Sequence, residues 1–495
     1  MFVSVNSSAV GALGVAARSV SRPLAWLRIG VIAAGLTASL LFIVVGLRFE
    51  LQLYADGSIF SYAVAVQDAW AFHWHNISGR LFVYLFCHVP AETYVRLTGD
   101  ARGGIDVYGL LFFGSQLLGL AATYAADRSR DRIIFCFACA SVVCVCPLVF
   151  GYPTELWVSH AVFWPALALC HYARRGIGGF AIVATALAAL VFTHEGAVVF
   201  AAAILCTLML RRIQDPALRR AAGAFLVVMP LWVIVKVTLP PDSNFSSILV
   251  SVALNSLDIT SLGCGLFLLL SGTIAGYGLT FLILRQLMPA SAPLCAAAIV
   301  AVALAVYWLW FDQGLHADSR YYLRTALLIA TPLLGSLAAL RAIEAEGRLN
   351  PLWFLPRINA LSTHHLPAQA IAGAVLLITL VHTVETAKFV AAWTDYKAAV
   401  RELAMSTASD PSLGTRSFVS AARVGDDLYR LSWPSTTQYL SVLVAPHFSP
   451  RRLVVDPRAN YFWISCETAV ANQMADLAVP AESRRLIRVH ACLHR

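Results

Sequence analysis

Residues 29–47, "IGVIAAGLTASLLFIVVGL", contain no charged side chain. A helix of that length covers the roughly 30 Å hydrocarbon core of a bilayer. In that medium only helices and closed barrels satisfy their own backbone hydrogen bonds. Comparable apolar runs recur along all 495 residues, so the chain must solve this problem many times over. Hydrophobic residues make up 59%, charged residues 13%, and the mean hydropathy is +0.72. Soluble domains carry about a quarter charged residues, which excludes an ordinary soluble fold. The pattern predicts an all-α polytopic membrane protein. Its net charge of +9 does not indicate a nucleic-acid partner, because Arg and Lys of membrane proteins mainly set orientation by staying cytoplasmic. The first run follows Arg18, Arg22 and Arg28. It is too long for a signal-peptide core and lacks a small-residue cleavage site, so it is expected to remain as the first span.

Four basic clusters lie between later runs: "DRSRDR" (127–132), "ARRG" (173–176), "RRIQDPALRR" (211–220) and "RAIEAEGR" (341–348). Placing all four in the cytoplasm puts the intervening joints "GYPTE" and "THEG" on the opposite face, and with them Glu155, His194 and Glu195. The loops "PPDSNFSS" and "FDQGLHADSRYYLR" follow to that same outer face. The segment 81–99, with His88, Pro90, Glu92 and Arg96, reads as a juxtamembrane or partly inserted helix, since counting it as a span would move "DRSRDR" outside. About eleven spans result, with the N-terminus cytoplasmic and the tail outside. A transmembrane portion over 1–390 and a small extracytoplasmic α/β domain over 391–495 are expected. The strand-like pieces of that tail are "YLSVLVAP", "RLVVDP", "YFWIS" and "RLIRVHAC". Cys466 and Cys492 lie in it, in an oxidising compartment, and are expected to form a disulfide. Cys136, Cys139, Cys144 and Cys146 sit inside an apolar run, where cysteine behaves as a small hydrophobe rather than a zinc ligand.

Ionisable residues at a membrane boundary are costly to bury and are functional candidates. On the outer face these are Asp56, Glu155, His160, His194, Glu195, His316, Asp318, Arg320 and Arg324, joined by Arg80 and Tyr321. Singly, each also reads as a loop residue or a helix cap. Behind Asp56, Ile59, Tyr62, Val66, Ala69 and His73 recur at helical spacing among many aromatics. This suits a helix lying at headgroup depth, with ordinary packing against the bundle as the alternative. Arg320 and Arg324 are four apart and share a helix face; their planar forks suit a lipid phosphate, and pairing with Asp318 or lipid headgroups is the alternative. "HEGAV" lacks the second histidine of a zinc-protease motif, since Val198 stands there.

The first-loop "YADGS", the aromatic segment behind it and the outward tail resemble the layout of the GT-C superfamily of integral-membrane glycosyltransferases, which includes the protein O-mannosyltransferases and lipid A aminoarabinose transferases. The resemblance covers about the first 390 residues in architecture. It implies transfer of a sugar from a polyprenyl-phosphate donor to a glycan, lipid or protein acceptor, in the bacterial inner membrane, on the periplasmic side. Asp56 would be the catalytic base or acceptor-orienting carboxylate, with Glu155, His194 and Glu195 assisting. Arg80, His160, His316, Arg320, Tyr321 and Arg324 would bind the donor. Many members carry paired acidic residues in the first loop, whereas here Asp56 is followed by Gly57. A divalent cation, Mg or Mn, is the one cofactor considered, with Asp56 its candidate ligand. The rival reading is a transporter or flippase for a lipid-linked saccharide, using the same arginines without chemistry.

Topology reporters test the orientation. Fusions after Trp157, Asn244 and Asp410 are expected to report outside, and fusions after Arg130, Arg175 and Gln214 inside. A cytoplasmic signal from the Asn244 fusion would break the one-sided arrangement.

Overall fold

The computed structural model describes residues 21–70, 79–145, 154–211, 216–238, 265–312, 321–345, 368–407, 418–433 and 436–456. Six helical segments are long and apolar enough to cross a membrane: Arg28–Arg48, Ala101–Ala126, Pro216–Thr238, Leu268–Leu287, Ala292–Phe311 and Ala372–Met405. Their outward faces carry large apolar side chains such as Leu226, Val237, Leu279, Leu294 and Leu309, all well exposed. A belt of that extent matches lipid rather than water. The chain is a multi-pass helical membrane protein.

In order, the helices are α1 (Ser21–Arg48), α2 (Asp56–Ala65), α3 (Leu81–Val83, a π turn over Tyr84–His88, then Val89–Thr98), α4 (Ala101–Ala126), α5 (Ile133–Val145), α6 (Glu155–Tyr172), α7 (Ile177–Val191), α8 (Ala197–Arg211), α9 (Pro216–Thr238), α10 (Gly265–Leu287), α11 (Ala292–Val306, continued by a π turn over Tyr307–Phe311), α12 (Tyr321–Ala345) and α13 (Ala368–Met405). Two landmarks define the ends of the bundle. Arg28 of α1 meets Asp131 in the turn after α4, at 3.6 Å, at one end. At the other, Gln52 packs on Gly109 of α4, and Lys397 of α13 pairs with Glu50.

Polar side chains tie the helices together where the surrounding medium offers no competing partner. The Trp393 indole donates to the Phe49 carbonyl at 2.9 Å, linking α13 to α1. Trp308 donates to Glu385, linking α11 to α13 at 3.1 Å. The turn after α4 is made by Asp127, whose carboxylate accepts from the amides of Ser129 and Phe135 and so starts α5. Part of "DRSRDR" is therefore a capping device as well as a charge cluster.

Helix α3 lies across the Asp56 end of the bundle instead of running through it. At its start, the Phe82 amide donates to the carbonyl of Phe192, which closes α7. At its far end, Val95 abuts Gly104 in the first turn of α4, so closely that a Cβ there would fall 2.2 Å from the valine. Helix α2 occupies the same level, and it corrects one expectation. The helical periodicity from Ile59 to His73 breaks after Ala65, because Gln67 turns to a left-handed φ of 58° and the Asp68 amide bonds back to Ala63 at 2.9 Å. Ile59, Phe60 and Tyr62 are buried within the protein rather than facing headgroups; His73 lies outside the described residues.

The polar tail differs from the sequence reading in another respect. "YLSVLVAP" forms a buried helix, α15 (Thr437–Leu443), not a strand. Short α14 (Asp426–Tyr429) precedes it. Leu453–Val455, within "RLVVDP", is a strand, β2, pairing in parallel with β1 (Phe418–Ser420), Phe418 opposite Leu453. "YFWIS", "RLIRVHAC" and the expected Cys466–Cys492 pair lie outside the described residues. Helix α13 runs unbroken through residue 390, so the spanning portion and the tail share one helix. The tail packs on α2: Ser58 donates to the Thr436 carbonyl at 3.1 Å, and Tyr62 meets Tyr439 at 5.3 Å between ring centroids.

Close approach of α4 to α6 depends on Gly119, where a Cβ would fall 2.4 Å from the Ala161 carbonyl oxygen. Gly119→Val is expected to cost about 1–3 kcal/mol in thermal unfolding of the detergent-solubilised protein, the usual penalty of overpacking. Gly114→Ala, with nothing within 4 Å of the new methyl, is the matched control and is expected to leave the transition in place.

Candidate functional site

Four helix ends deliver charge to one point at the Asp56 end. Arg80 precedes α3, Glu155 opens α6, His194 and Glu195 form the turn from α7 to α8, and Lys236 stands in the last turn of α9. Glu155 and Lys236 each sit at the helix end that the backbone dipole favours for their charge. Arg80 is the centre. Its Nη1 donates to Glu155 Oε2 at 2.7 Å, while Nη2 and Nε donate to Glu195 Oε2 at 2.8 and 3.1 Å. Lys236 pairs with the other oxygen of Glu195. His194 Nδ1 accepts from the Gly196 amide at 2.9 Å, which leaves Nε2 as the ring's donor.

The electrostatics follow from this geometry. Burial alone would raise the Glu195 carboxyl, but Arg80 and Lys236 more than reverse it and hold the group well below the usual carboxylate range. Burial works against the Arg80 charge too, and the two glutamates push it above its ordinary value. Arg80 and Glu155 are 6% and 3% exposed, so neither charge has water as a substitute partner. Glu155 Oε1 is buried with no hydrogen-bond donor among the described residues. A buried acceptor without a donor costs about 1–3 kcal/mol.

Asp56 is the first residue of α2 rather than its cap; Ala55 caps the helix with φ 51° and ψ −126°, a strained conformation for a residue with a side chain. The Asp56 carboxylate is within electrostatic reach of the Tyr108 hydroxyl of α4, as is Glu155. Nearby, Asp68 is pushed up to about 6 by burial and by Glu92, whose own carboxylate accepts from the Ala69 amide at 2.8 Å.

Of the residues expected from the sequence, the fold gathers Arg80, Glu155, His194 and Glu195, and Asp56 opens α2 at the same end of the bundle. His160 is placed elsewhere, inside the bundle, bonded to Ser141 on α5 at 2.7 Å and Gln116 on α4 at 3.1 Å, where it ties three helices. His316 and Arg320 lie outside the described residues. Tyr321 and Arg324 belong to the first turn of α12, and their side chains are outside the described set. Lys236 and Tyr108 were missed. The signal for Lys236 was present: a lone cation in "VIVKVTL", at the end of an apolar run, needs an anionic partner. Among the described residues no three of His, Cys, Asp and Glu converge as metal ligands.

No protein-family model, curated protein or solved structure matches this chain.

Removing Arg80 would strand the buried Glu155 carboxylate and leave the half-buried Glu195 to Lys236 alone. Arg80→Ala is expected to lower stability by about 3–5 kcal/mol, the cost of breaking a buried pair from one side. Glu155→Gln, which keeps the shape and one acceptor oxygen, is expected to cost less. Thermal unfolding of both variants in the same detergent measures the difference.

Proposed function

We propose that this protein is a membrane glycosyltransferase of the GT-C type, moving a sugar from a polyprenyl-phosphate donor to an extracytoplasmic acceptor. The observation that carries the reading is the gathering of Asp56, Arg80, Glu155, His194, Glu195 and Lys236 at a single end of the bundle, beneath two helices that lie across it. In this reading α1 and α4–α13 make about eleven crossings. The Arg28 end is cytoplasmic, and the Asp56 end with the tail faces the periplasm of a bacterial inner membrane.

The chemistry needs a base for the acceptor and positive charge for the leaving group. Asp56 takes the proton of the acceptor hydroxyl as that oxygen bonds to the anomeric carbon of the sugar. The bond from that carbon to the donor phosphate breaks, and the polyprenyl phosphate leaves with the electron pair. Lys236, less enclosed than Arg80, faces the developing phosphate charge, and Arg320 and Arg324 hold the phosphate before and after transfer. Arg80 is fully engaged by its two glutamates, so its part is to hold them in place.

Asp56→Asn preserves size and removes the base. In membranes supplied with a panel of radiolabelled polyprenyl-phosphate monosaccharides, transfer is expected to fall about 10²–10⁴-fold while protein level and donor binding hold. Undiminished transfer by the Asn variant would remove Asp56 from the chemistry. Donor movement across the membrane without transfer by wild-type protein would favour the transporter reading.

A further inference from the structure

Helix α13 continues beyond the bundle, and its last turns face the N-terminus of α4 and the loop after α15. Between them lies a cleft of about 670 Å³, with Glu50, Arg102, Lys397, Arg401 and Glu402 on its walls. A second hollow of about 600 Å³ continues along the start of α4 to the turn Pro446–Phe448, and Arg102 and Pro446 line both. Ligand pockets commonly measure about 300–1,000 Å³. This one is separate from the Arg80 cluster, and none of its residues is used in the chemistry above.

Arg102 is held in a definite pose. Its Nη2 donates to the Ala445 carbonyl at 3.1 Å, and its guanidinium carbon stands 4.6 Å over the Phe448 ring. The ring is delivered by two successive non-glycine residues in left-handed conformation, His447 at φ 52° and Phe448 at φ 54°. Adjacent strained residues persist only where surrounding structure over-determines them, and such residues cluster at ligand sites. The remaining N–H groups of Arg102 make no hydrogen bond to the described residues. Arg401, one turn beyond Lys397 on α13, has neither a hydrogen bond nor an ion pair among the described residues. Lys397 is committed to Glu50 and to the Phe49 carbonyl. The positive end of the α4 dipole adds to the field of the two arginines. Met405, Val444 and Pro446 give the cleft an apolar side.

We propose that this cleft binds an oxyanion, phosphate or carboxylate, on a ligand held between the bundle end and the tail. Arg102 supplies an oriented fork, Arg401 a second charge, and the apolar side receives the ligand's carbon skeleton. The ligand is either a soluble anion or the headgroup of an anionic lipid reaching up from the bilayer. This site does not depend on the glycosyl-transfer reading, and its failure would leave the Asp56 experiment untouched.

The test uses the full chain, purified, with two probes: inorganic pyrophosphate added to protein in neutral detergent, and nanodiscs of phosphatidylglycerol compared with phosphatidylcholine. Either probe is expected to raise the melting temperature of wild-type protein. The dependence on probe concentration should weaken about tenfold or more in Arg102→Ala and Arg401→Ala, with Arg102→Lys intermediate because the fork is lost. Arg423→Ala, an exposed arginine outside the cleft, should respond as wild type. A response to pyrophosphate identifies a soluble anion, and one confined to phosphatidylglycerol identifies a headgroup. If Arg102→Ala does not fold, Arg401→Ala carries the comparison. The proposal is overturned if neither probe stabilises the wild type, if the arginine variants respond fully, or if Arg423→Ala is equally impaired.

Discussion

Arg80 and the two glutamates that grip it form the contact on which the Asp56 end of the bundle depends. The guanidinium joins the start of α3 to the start of α6 through Glu155 and to the α7–α8 turn through Glu195, and Lys236 brings in the end of α9. Each of these charges alone would be costly to withdraw from water. Together they are two cations against two carboxylates, so the cluster is neutral and stable only as a whole. Loss of one member leaves the others exposed to the full cost of burial. Among the described residues no donor reaches Oε1 of Glu155, the most buried carboxylate of the group.

That closure makes a platform of helix ends on which α2 and α3 rest. Helix α3 is clamped at both ends, by the Phe192 carbonyl and by the glycines opening α4. Helix α2 is enclosed from above as well, since the tail contacts it through Ser58 and Tyr62. Asp56 therefore sits on a helix held from two sides, with a strained Ala55 before it. The tail owes its position to α13, which leaves the bundle without a break and brings residues 394–405 over the same end.

Much of this was legible in the residues. Apolar runs mark the six long crossing helices, because length and hydropathy are local properties that the bilayer reads directly. Charge asymmetry also placed Glu155, His194 and Glu195 at one face, and the fold joins the two glutamates through Arg80. Local patterns misled where a tertiary contact outweighed them. The 3.6-residue repeat from Ile59 to His73 ignores the turn at Gln67, and "YLSVLVAP" has strand propensity but is buried as a helix against α2. His160 is ionisable and lies near the outer face in sequence, yet Ser141 and Gln116 absorb both of its ring nitrogens.

What the sequence alone determined is the solvent of this protein and the rhythm of its helices. An apolar run of sufficient length has one low-energy state in lipid, whatever its neighbours are. What only the tertiary structure decided is which charges share a site. Arg80 and Glu195 are 115 residues apart, and nothing in either segment names the other. Their pairing arises because helix packing brings four separate ends to one level, where each charge must find an opposite charge or remain in water. The same holds for the Arg102 cleft, whose walls come from the turn after α1, from α4, from α13 and from the tail. Its shape exists only once those four pieces have docked.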